Sequence, residues 1–431
     1  MFAGTGGIRL AMEQTCHELG LETECVLSSE IDKDACSSYE LNFQETPQSD
    51  IREIHNFPDF NFLLAGFPCQ SFSYAGKRQG FGDTRGTLFF EIERILKSNK
   101  PQYFLLENVR GLLTHDKGRT YQTIKMHLER LGYSVEYLLL NSSNFNVPQN
   151  RVRVYILGVL EKEVRLTLRS NLGAADTHIY KLNNSGVQGS LFDGQIAKSN
   201  TVKDILETHP DTTYYCTPRF VSQLEKVAGN DFTKLNGCRL IDYRGGKSLH
   251  SWELGVKGDC TSLEIEFMNL LIANRRKKIF GTHQDGKRLT KQQIQTFNRC
   301  PDIDITIDSL IKKGYLKCSD GKYNPVCGNM SFEVFKFLDP EGISITLTAS
   351  DANRLGIVQN NIPRRITPRE CARLQGYPDS YKLIDNPKAV YKQMGNGVSI
   401  PVVKAVLKDF ILSNYSTTEA TTVLQKIALV S

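Results

Sequence analysis

The sequence of 431 residues has a single tryptophan, no Cys-x-x-Cys pair and no apolar run approaching the roughly 18 residues of a membrane-spanning helix. A spanning helix is thereby excluded. No basic segment leading into an apolar run opens the chain, so neither secretion nor a membrane partner is expected. The 11 cysteines are odd in number and scattered from Cys16 to Cys371. That pattern fits neither a disulfide framework nor a zinc ribbon, so no metal site is expected and the protein reads as reduced and cytoplasmic. A large excess of one charge is also lacking. Lys+Arg 53 against Asp+Glu 47 gives a net +6, which permits nucleic-acid binding without demanding it. Finally, Met1-Phe2-Ala3-Gly4-Thr5-Gly6-Gly7 is a glycine-rich turn with nothing ahead of it to supply the strand such turns normally follow.

With 40% hydrophobic residues, a chain of this length holds enough apolar material for two domains, or for one domain with a substantial insertion. Ile8, Met12, Cys16 and Leu19 fall at helical spacing and Gly20 is a stop signal. A strand at 24–29, a helix from Asp32 to Phe43 and a buried strand from Phe60 to Ala65 follow. The alternation continues with a helix at 87–98, a strand at 103–106, a helix at 120–131 and strands at 134–140 and 152–157. Strands separated by helices of this length predict parallel crossover units in a doubly wound α/β sheet. The rhythm stops near residue 160, and residues 165–200 have the Asn, Ser and Gly content of a linker. Farther on, 262–280, 290–297 and 303–313 have helical spacing and are followed by Gly314-Tyr315-Leu316-Lys317, which predicts a winged-helix-like part at 262–323. Basic residues crowd the stretch from Arg275 to Arg299, where a solvated helix face and phosphate contact are equally good explanations.

Chemistry concentrates beyond the carboxyl ends of two predicted strands, the edge where open α/β sheets build their sites. Gly66-Phe67-Pro68-Cys69-Gln70-Ser71-Phe72-Ser73 follows one strand, and Glu107-Asn108-Val109 follows the next. A lone cysteine would carry little weight, but neighbouring parallel strands project a thiol and a carboxyl group into one crevice. In Gln149-Asn150-Arg151-Val152-Arg153, period-two alternation puts both arginines on one strand face. Aimed at the crevice, Arg153 offers a rigid fork of donors.

Together these motifs resemble the cytosine-C5 DNA methyltransferases of bacterial restriction-modification systems. The resemblance rests on the opening turn, Gly66 to Gln70, Gly86-Thr87-Leu88-Phe89-Phe90, Glu107-Asn108-Val109 and Gln149 to Arg153. It resumes at Arg365-Ile366-Thr367-Pro368-Arg369-Glu370-Cys371-Ala372-Arg373-Leu374-Gln375-Gly376-Tyr377-Pro378 and at Gly395-Asn396-Gly397-Val398. It implies a Rossmann-like methyltransferase fold that uses S-adenosyl-L-methionine, with a catalytic domain at 1–202, an inserted target-recognition domain at 203–367, and a hinge and return at 368–431.

The resemblance implies that Cys69 adds to C6 of cytosine, that Glu107 meets N3 of the base, and that Arg153 and Arg151 contact the base or a nearby phosphate. Phe2, Ala3, Gly4, Thr5, Gly6 and Gly7, with Gly66 and Pro68, would wrap the cofactor, and Glu30 would accept from its ribose hydroxyls. Ile31 and Ile51 would flank the adenine with Asp50 near its amino group, and Leu88 with Asn396, Gly397 and Val398 would close the pocket. DNA contacts would come from Gln70, Ser71 and Ser73, from the glycine-rich cationic stretch carrying Lys77, Arg78 and Arg85, and from Arg244 and Thr346. The implied partners are double-stranded DNA and a cognate restriction endonuclease, and the family habit is a monomer.

The same motifs serve a branch of the family that methylates tRNA, and an inactive DNA-binding homologue would keep them too. The large middle region favours duplex readout, and a Rossmann oxidoreductase fits least. The family also carries several residues ahead of the first turn that form the sheet's central strand. With none ahead of Met1, the neighbouring strands are expected to be left with unpaired backbone groups, at a cost of several kcal/mol and with impaired cofactor binding.

Overall fold

The opening glycine turn passes directly into α1 (Gly7–Leu19), which ends at Gly20, whose N–H caps the carbonyls of Cys16 and His17. The chain continues through β1 (Glu22–Leu27), α2 (Lys33–Phe43), β2 (Phe62–Gly66), α3 (Leu88–Asn99), β3 (Tyr103–Val109), α4 (Gly111–Thr114), α5 (Arg119–Arg130), β4 (Tyr133–Asn141) and β5 (Val152–Leu160). Asp32 caps α2 by accepting from the Ala35 N–H at 3.1 Å. This computed structural model describes residues 1–48, 50–67, 88–170, 200–242, 247–282, 287–326, 332–415 and 426–431. Contacts divide the chain into two units. One is Met1–Ile205 with Ile343–Ala352 and Pro368–Ser431, and the other is Leu206–Gly342 with Asn353–Thr367.

The first unit has a six-stranded sheet of order β1-β14-β2-β3-β5-β4, in which β14 is Lys426–Val430. Leu63, Ala65, Phe104, Leu106, Val154 and Ile156 pack in one cluster with Phe89, Ile92 and Ile95 of α3 and Ile124 and Leu128 of α5. The intervening Leu64, Leu105, Tyr155 and Leu157 are equally buried. By strand alternation they face the opposite layer, so both faces of the sheet are covered. α10 (Pro368–Leu374), α11 (Pro387–Asn396) and α12 (Ile400–Asn414) complete the unit, with α12 packed on α1.

Two expectations about the sheet need correction. β5 runs antiparallel to both β3 and β4. The connection from Ser142 to Arg151 is too short for a parallel crossover, which needs about a dozen residues or more. Secondly, the neighbours of the slot beneath the glycine turn are not left unpaired. β14 lies there, parallel to β1 with Cys25 opposite Leu429, and parallel to β2 with Leu429 opposite Phe62. The Ser431 N–H donates to the Leu27 carbonyl at 3.0 Å, and the Asn61 N–H donates to the Ala428 carbonyl at 3.0 Å. Ile427-Ala428-Leu429-Val430 is a short apolar run of the kind that makes a buried strand.

The second unit has a five-stranded sheet of order β13-β12-β11-β6-β7. Its strands are β6 (Arg239–Leu240), β7 (Ser248–Leu249), β11 (Lys336–Phe337), β12 (Leu355–Gln359) and β13 (Ile362–Arg365). α6 (Pro218–Ala228), capped by Thr217, contributes Phe220 and Leu224 to its core. A separate core around Trp252 joins α7 (Ser262–Asn274), α8 (Lys291–Gln295) and α9 (Ile303–Lys312) to a small sheet. That sheet is built from β8 (Leu289–Thr290), β9 (Leu316–Ser319) and β10 (Lys322–Pro325), in the order β8-β10-β9.

Leu429 is fully buried in β14. Leu429→Ala should therefore lower the unfolding free energy by about 2–5 kcal/mol, read from the urea midpoint, whereas a loss below about 1 kcal/mol would contradict this placement of the strand.

Candidate active site

β2 and β3 are parallel neighbours, with Gly66 directly opposite Glu107. The carboxyl end of β2 therefore brings Gly66 and Phe67 beside the carboxyl group on β3. Asn108 secures this junction. Its Nδ2 donates to the Phe67 carbonyl at 2.9 Å, and its Oδ1 accepts from the Val109 N–H at 2.8 Å. The sequence motif assigns Asn108 no role, and its position immediately after Glu107 is the one signal of it.

Glu107 is 8% exposed. In the antiparallel ladder Tyr155 lies opposite Glu107 and Arg153 opposite Val109, so alternation puts Glu107 and Arg153 on the same sheet face. Arg153 Nε stands 3.2 Å from Glu107 Oε1. Burial nevertheless raises the carboxyl pKa above its ordinary value, outweighing the guanidinium groups of Arg153 and Arg151, which pull it down. A carboxyl group so placed takes up a proton more readily than an exposed one, and in its protonated form it can donate a hydrogen bond.

Arg151 does not take the contact role expected of it. It is 2% exposed. Its Nη1 donates to the Leu347 carbonyl at 2.9 Å, and its Nη2 donates to the carbonyls of Gly395 at 3.3 Å and Gly397 at 2.5 Å. The side chain thus binds the start of β5 to two distant segments of the same unit. Gln149 supports that clamp. It donates to the Leu374 carbonyl at 2.7 Å and accepts from the Leu347 N–H at 2.8 Å. Thr346, expected at DNA, is half-buried and donates its hydroxyl to the Asn150 carbonyl. The partners of these residues lie 196 to 246 residues away in the chain, which strand alternation alone does not reveal.

The glycine turn is held from several sides. The Ala3 N–H donates to the Ser29 carbonyl at 2.9 Å, and the Gly4 N–H donates to Glu30 Oε2 at 2.8 Å. Glu30 Oε1 accepts from the N–H groups of Ile31 and Asp32 at 2.9 and 2.8 Å. The Thr5 hydroxyl lies 2.8 Å from the Tyr377 hydroxyl, and Tyr381 donates to the Thr5 carbonyl at 2.6 Å. Both tyrosines went unassigned from sequence. A Cβ at Gly6, where φ is +77°, would come within 2.1 Å of the Phe43 ring, and one at Gly7 within 2.6 Å of the Tyr377 hydroxyl. Phe2 is half-buried, while Ile31 is 70% exposed at the end of β1. Ile51 is buried in the core cluster, unlike Ile31. The Asp50 carboxyl is held below its usual range by hydrogen bonds from Arg52. Leu88 packs on the core at the start of α3, Val398 is buried and Asn396 is exposed. Pro68, Cys69, Gln70, Ser71, Ser73, Lys77, Arg78, Arg85 and Arg244 lie outside the described residues.

Residues 1–411 match the family model described as C-5 cytosine-specific DNA methylase. The chain is 65% identical over 414 residues to the Type II methyltransferase M.BanI of Aneurinibacillus aneurinilyticus, covering 96% of this chain and 95% of that protein. It is 61% identical over 414 residues to the Type II methyltransferase M.HgiCI of Herpetosiphon aurantiacus, covering 96% and 97%. Among solved structures, the S. pombe Dnmt2 methyltransferase is similar with a TM-score of 0.50 at 17% identity, covering 95% of this chain and 97% of that one. An E. coli prophage-encoded methyltransferase gives 0.53 at 18%, covering 96% and 98%. At such identities the likeness is one of fold, and that fold is the Rossmann-like methyltransferase fold.

The raised pKa of Glu107 fixes a pH dependence. The fold favours the protonated carboxyl, so the associated stability is complete below the ordinary value of 4.5 and is lost as pH rises through the higher folded-state value. In urea titrations, Glu107→Gln should therefore gain stability relative to the native protein as pH increases from about 4 upward. A difference independent of pH would contradict the raised pKa.

Proposed function

As a member of the C-5 cytosine-specific DNA methylase family, this chain is a DNA (cytosine-5)-methyltransferase, and we propose that it acts on a cytosine turned out of duplex DNA through a covalent Cys69 adduct. The observation that carries this reading is the buried Glu107, in register with Gly66 at the end of β2 and 3.2 Å from Arg153 Nε, with its carboxyl pKa raised by burial.

Cytosine C5 is a weak nucleophile. The Cys69 thiolate forms a bond from Sγ to C6, and electron density from the C5–C6 double bond shifts toward C5 and the ring nitrogen. The Glu107 carboxyl group donates its proton or a hydrogen bond at N3, relieving that charge. The Arg153 guanidinium, close to the carboxyl group, keeps it oriented and contacts the base. C5, now enamine-like, receives the methyl group. Loss of the C5 proton to a base, followed by breaking of the Sγ–C6 bond, restores the ring and frees the thiolate. Reaching a base in a duplex costs a few kcal/mol of unstacking, a cost offset by contacts from Gln70, Ser71, Ser73, Lys77, Arg78 and Arg85.

The residues around the turn fit S-adenosyl-L-methionine. Gly4, at φ +55°, faces open space where any side chain would project, next to the Glu30 carboxylate and the exposed Ile31. Glu30 would accept from the ribose hydroxyls, Ile31 would lie against the adenine with Asp50 at its edge, and Val398 with Leu88 would exclude water. When bound, this cofactor would supply the methyl group to C5, its S–CH3 bond breaking so that it leaves as the neutral thioether S-adenosylhomocysteine. The second unit serves target recognition, with Arg244 reading guanine in the major groove. Relatives that carry Type II names support a role in restriction-modification, as a monomer in the bacterial cytoplasm protecting sites that a cognate endonuclease cuts.

Bisulfite sequencing of DNA from cells expressing the protein should show 5-methylcytosine at one recurring sequence. Cys69→Ala should reduce methyl transfer to background while duplex binding persists. Methylation retained by that variant would refute the assigned nucleophile.

A further inference from the structure

Inside the second unit, α7, β8, α8, α9, β9 and β10 follow one another in the order of a winged helix. The strand ahead of the second helix pairs with the last strand, and the turn from Ser319 to Lys322 forms the wing. Proteins with helix-turn-helix motifs ordinarily put the second helix of the motif into the major groove. Here that helix is α9, and it is unsuited to phosphate. Its exposed residues are Asp304, Ile305, Asp308, Ile311 and Lys312. The nearby cation Lys291 is engaged with both oxygens of Asp304 at 2.5 Å.

Other cations of the module lie after α7 and on the small sheet. Arg276, Lys277 and Lys278 are exposed just after α7. Lys287 Nζ donates to the carbonyls of Arg276 and Lys277, both at 3.1 Å, which fixes that segment. The segment is tied to the sheet as well. The Lys287 N–H donates to the Arg275 carbonyl at 3.2 Å, and Arg275 Nη2 donates to Asn324 Oδ1 at 2.8 Å. Asn324 pairs with Lys317, and Lys322 pairs with Ser319. Alternation therefore places Lys317, Lys322 and Asn324 on one face, while Leu289, Leu316 and Pro325 are buried. Asp320 stands at the wing, 3.7 Å from Arg288.

We propose that this module grips the phosphodiester backbone of duplex DNA through Arg276, Lys277, Lys278, Lys317 and Lys322, with α9 turned away from the DNA. The proposal rests on the DNA substrate of the enzyme. It adds a site of affinity that carries no sequence information, since phosphate contacts position a protein without reading bases.

The test measures binding of a fluorescent duplex by the full chain across a salt series. Each phosphate neutralised contributes about 0.9 to the slope of log K against log salt. The triple variant Arg276→Gln/Lys277→Gln/Lys278→Gln should lower that slope by roughly two to three, and Lys317→Gln/Lys322→Gln by roughly one to two. The set of methylated cytosines should not change. Asp304→Asn/Asp308→Asn should leave the slope as it is. Unchanged slopes in both cation variants would overturn the proposal, as would a steeper slope and tighter binding after neutralising α9. Failure of the native protein to methylate duplex cytosine would instead count against the reaction, because the binding titration does not depend on turnover.

Discussion

A carboxyl group held out of water is the constraint to which the rest of the first unit answers. Glu107 sits at the end of a central strand, where desolvation disfavours its charge more than Arg153 restores it. To keep it there, the sheet must be covered on both faces, β2 must end in register with it, and Asn108 must fix the carbonyl of Phe67. Arg151 supplies the outer brace. A guanidinium buried without an acidic partner is costly unless its donors are satisfied, and three backbone carbonyls from two remote segments take up its Nη1 and Nη2 donors, while Nε has no partner. The turn closed by Gly397 is thereby bound to the strand that carries Arg153.

Much of this was legible in the chain. Helical spacing located α1, α2, α3 and α5, and short apolar runs located β2 and β3, because these elements bury the faces that their periodicity advertises. The motif order singled out Glu107 and Arg153, which share a sheet face and form an ion pair. Less legible was anything decided by partners far away in sequence. Arg151 and Arg153 share a strand face, yet Arg151 lies among carbonyls of residues 347, 395 and 397, while Arg153 reaches the carboxyl group. The direction of β5 depended on the length of one connection. The strand beneath the glycine turn came from residues 426–430, whose apolar run matches that of any buried strand and carries no address.

In the second unit, composition was informative about location but silent about orientation. The crowding of lysine and arginine after α7 was plain in the sequence, with solvent and phosphate equally good explanations. Hydrogen bonds from Lys287 and Arg275 draw those cations and the outer face of the small sheet into one surface, while acidic side chains occupy α9. Electrostatics, rather than the usual role of the helix, determines which side of such a module can approach a polyanion.

The most direct test of the chemistry uses a duplex that carries 5-fluorocytosine at the methylated position, incubated with the protein and S-adenosyl-L-methionine. Fluorine cannot leave C5 as a proton does, so the Sγ–C6 bond cannot be released by elimination. The account predicts a one-to-one protein–DNA adduct that survives denaturation and maps by mass spectrometry to the peptide containing Cys69. No adduct under conditions that methylate ordinary cytosine, or an adduct on another residue, would contradict it.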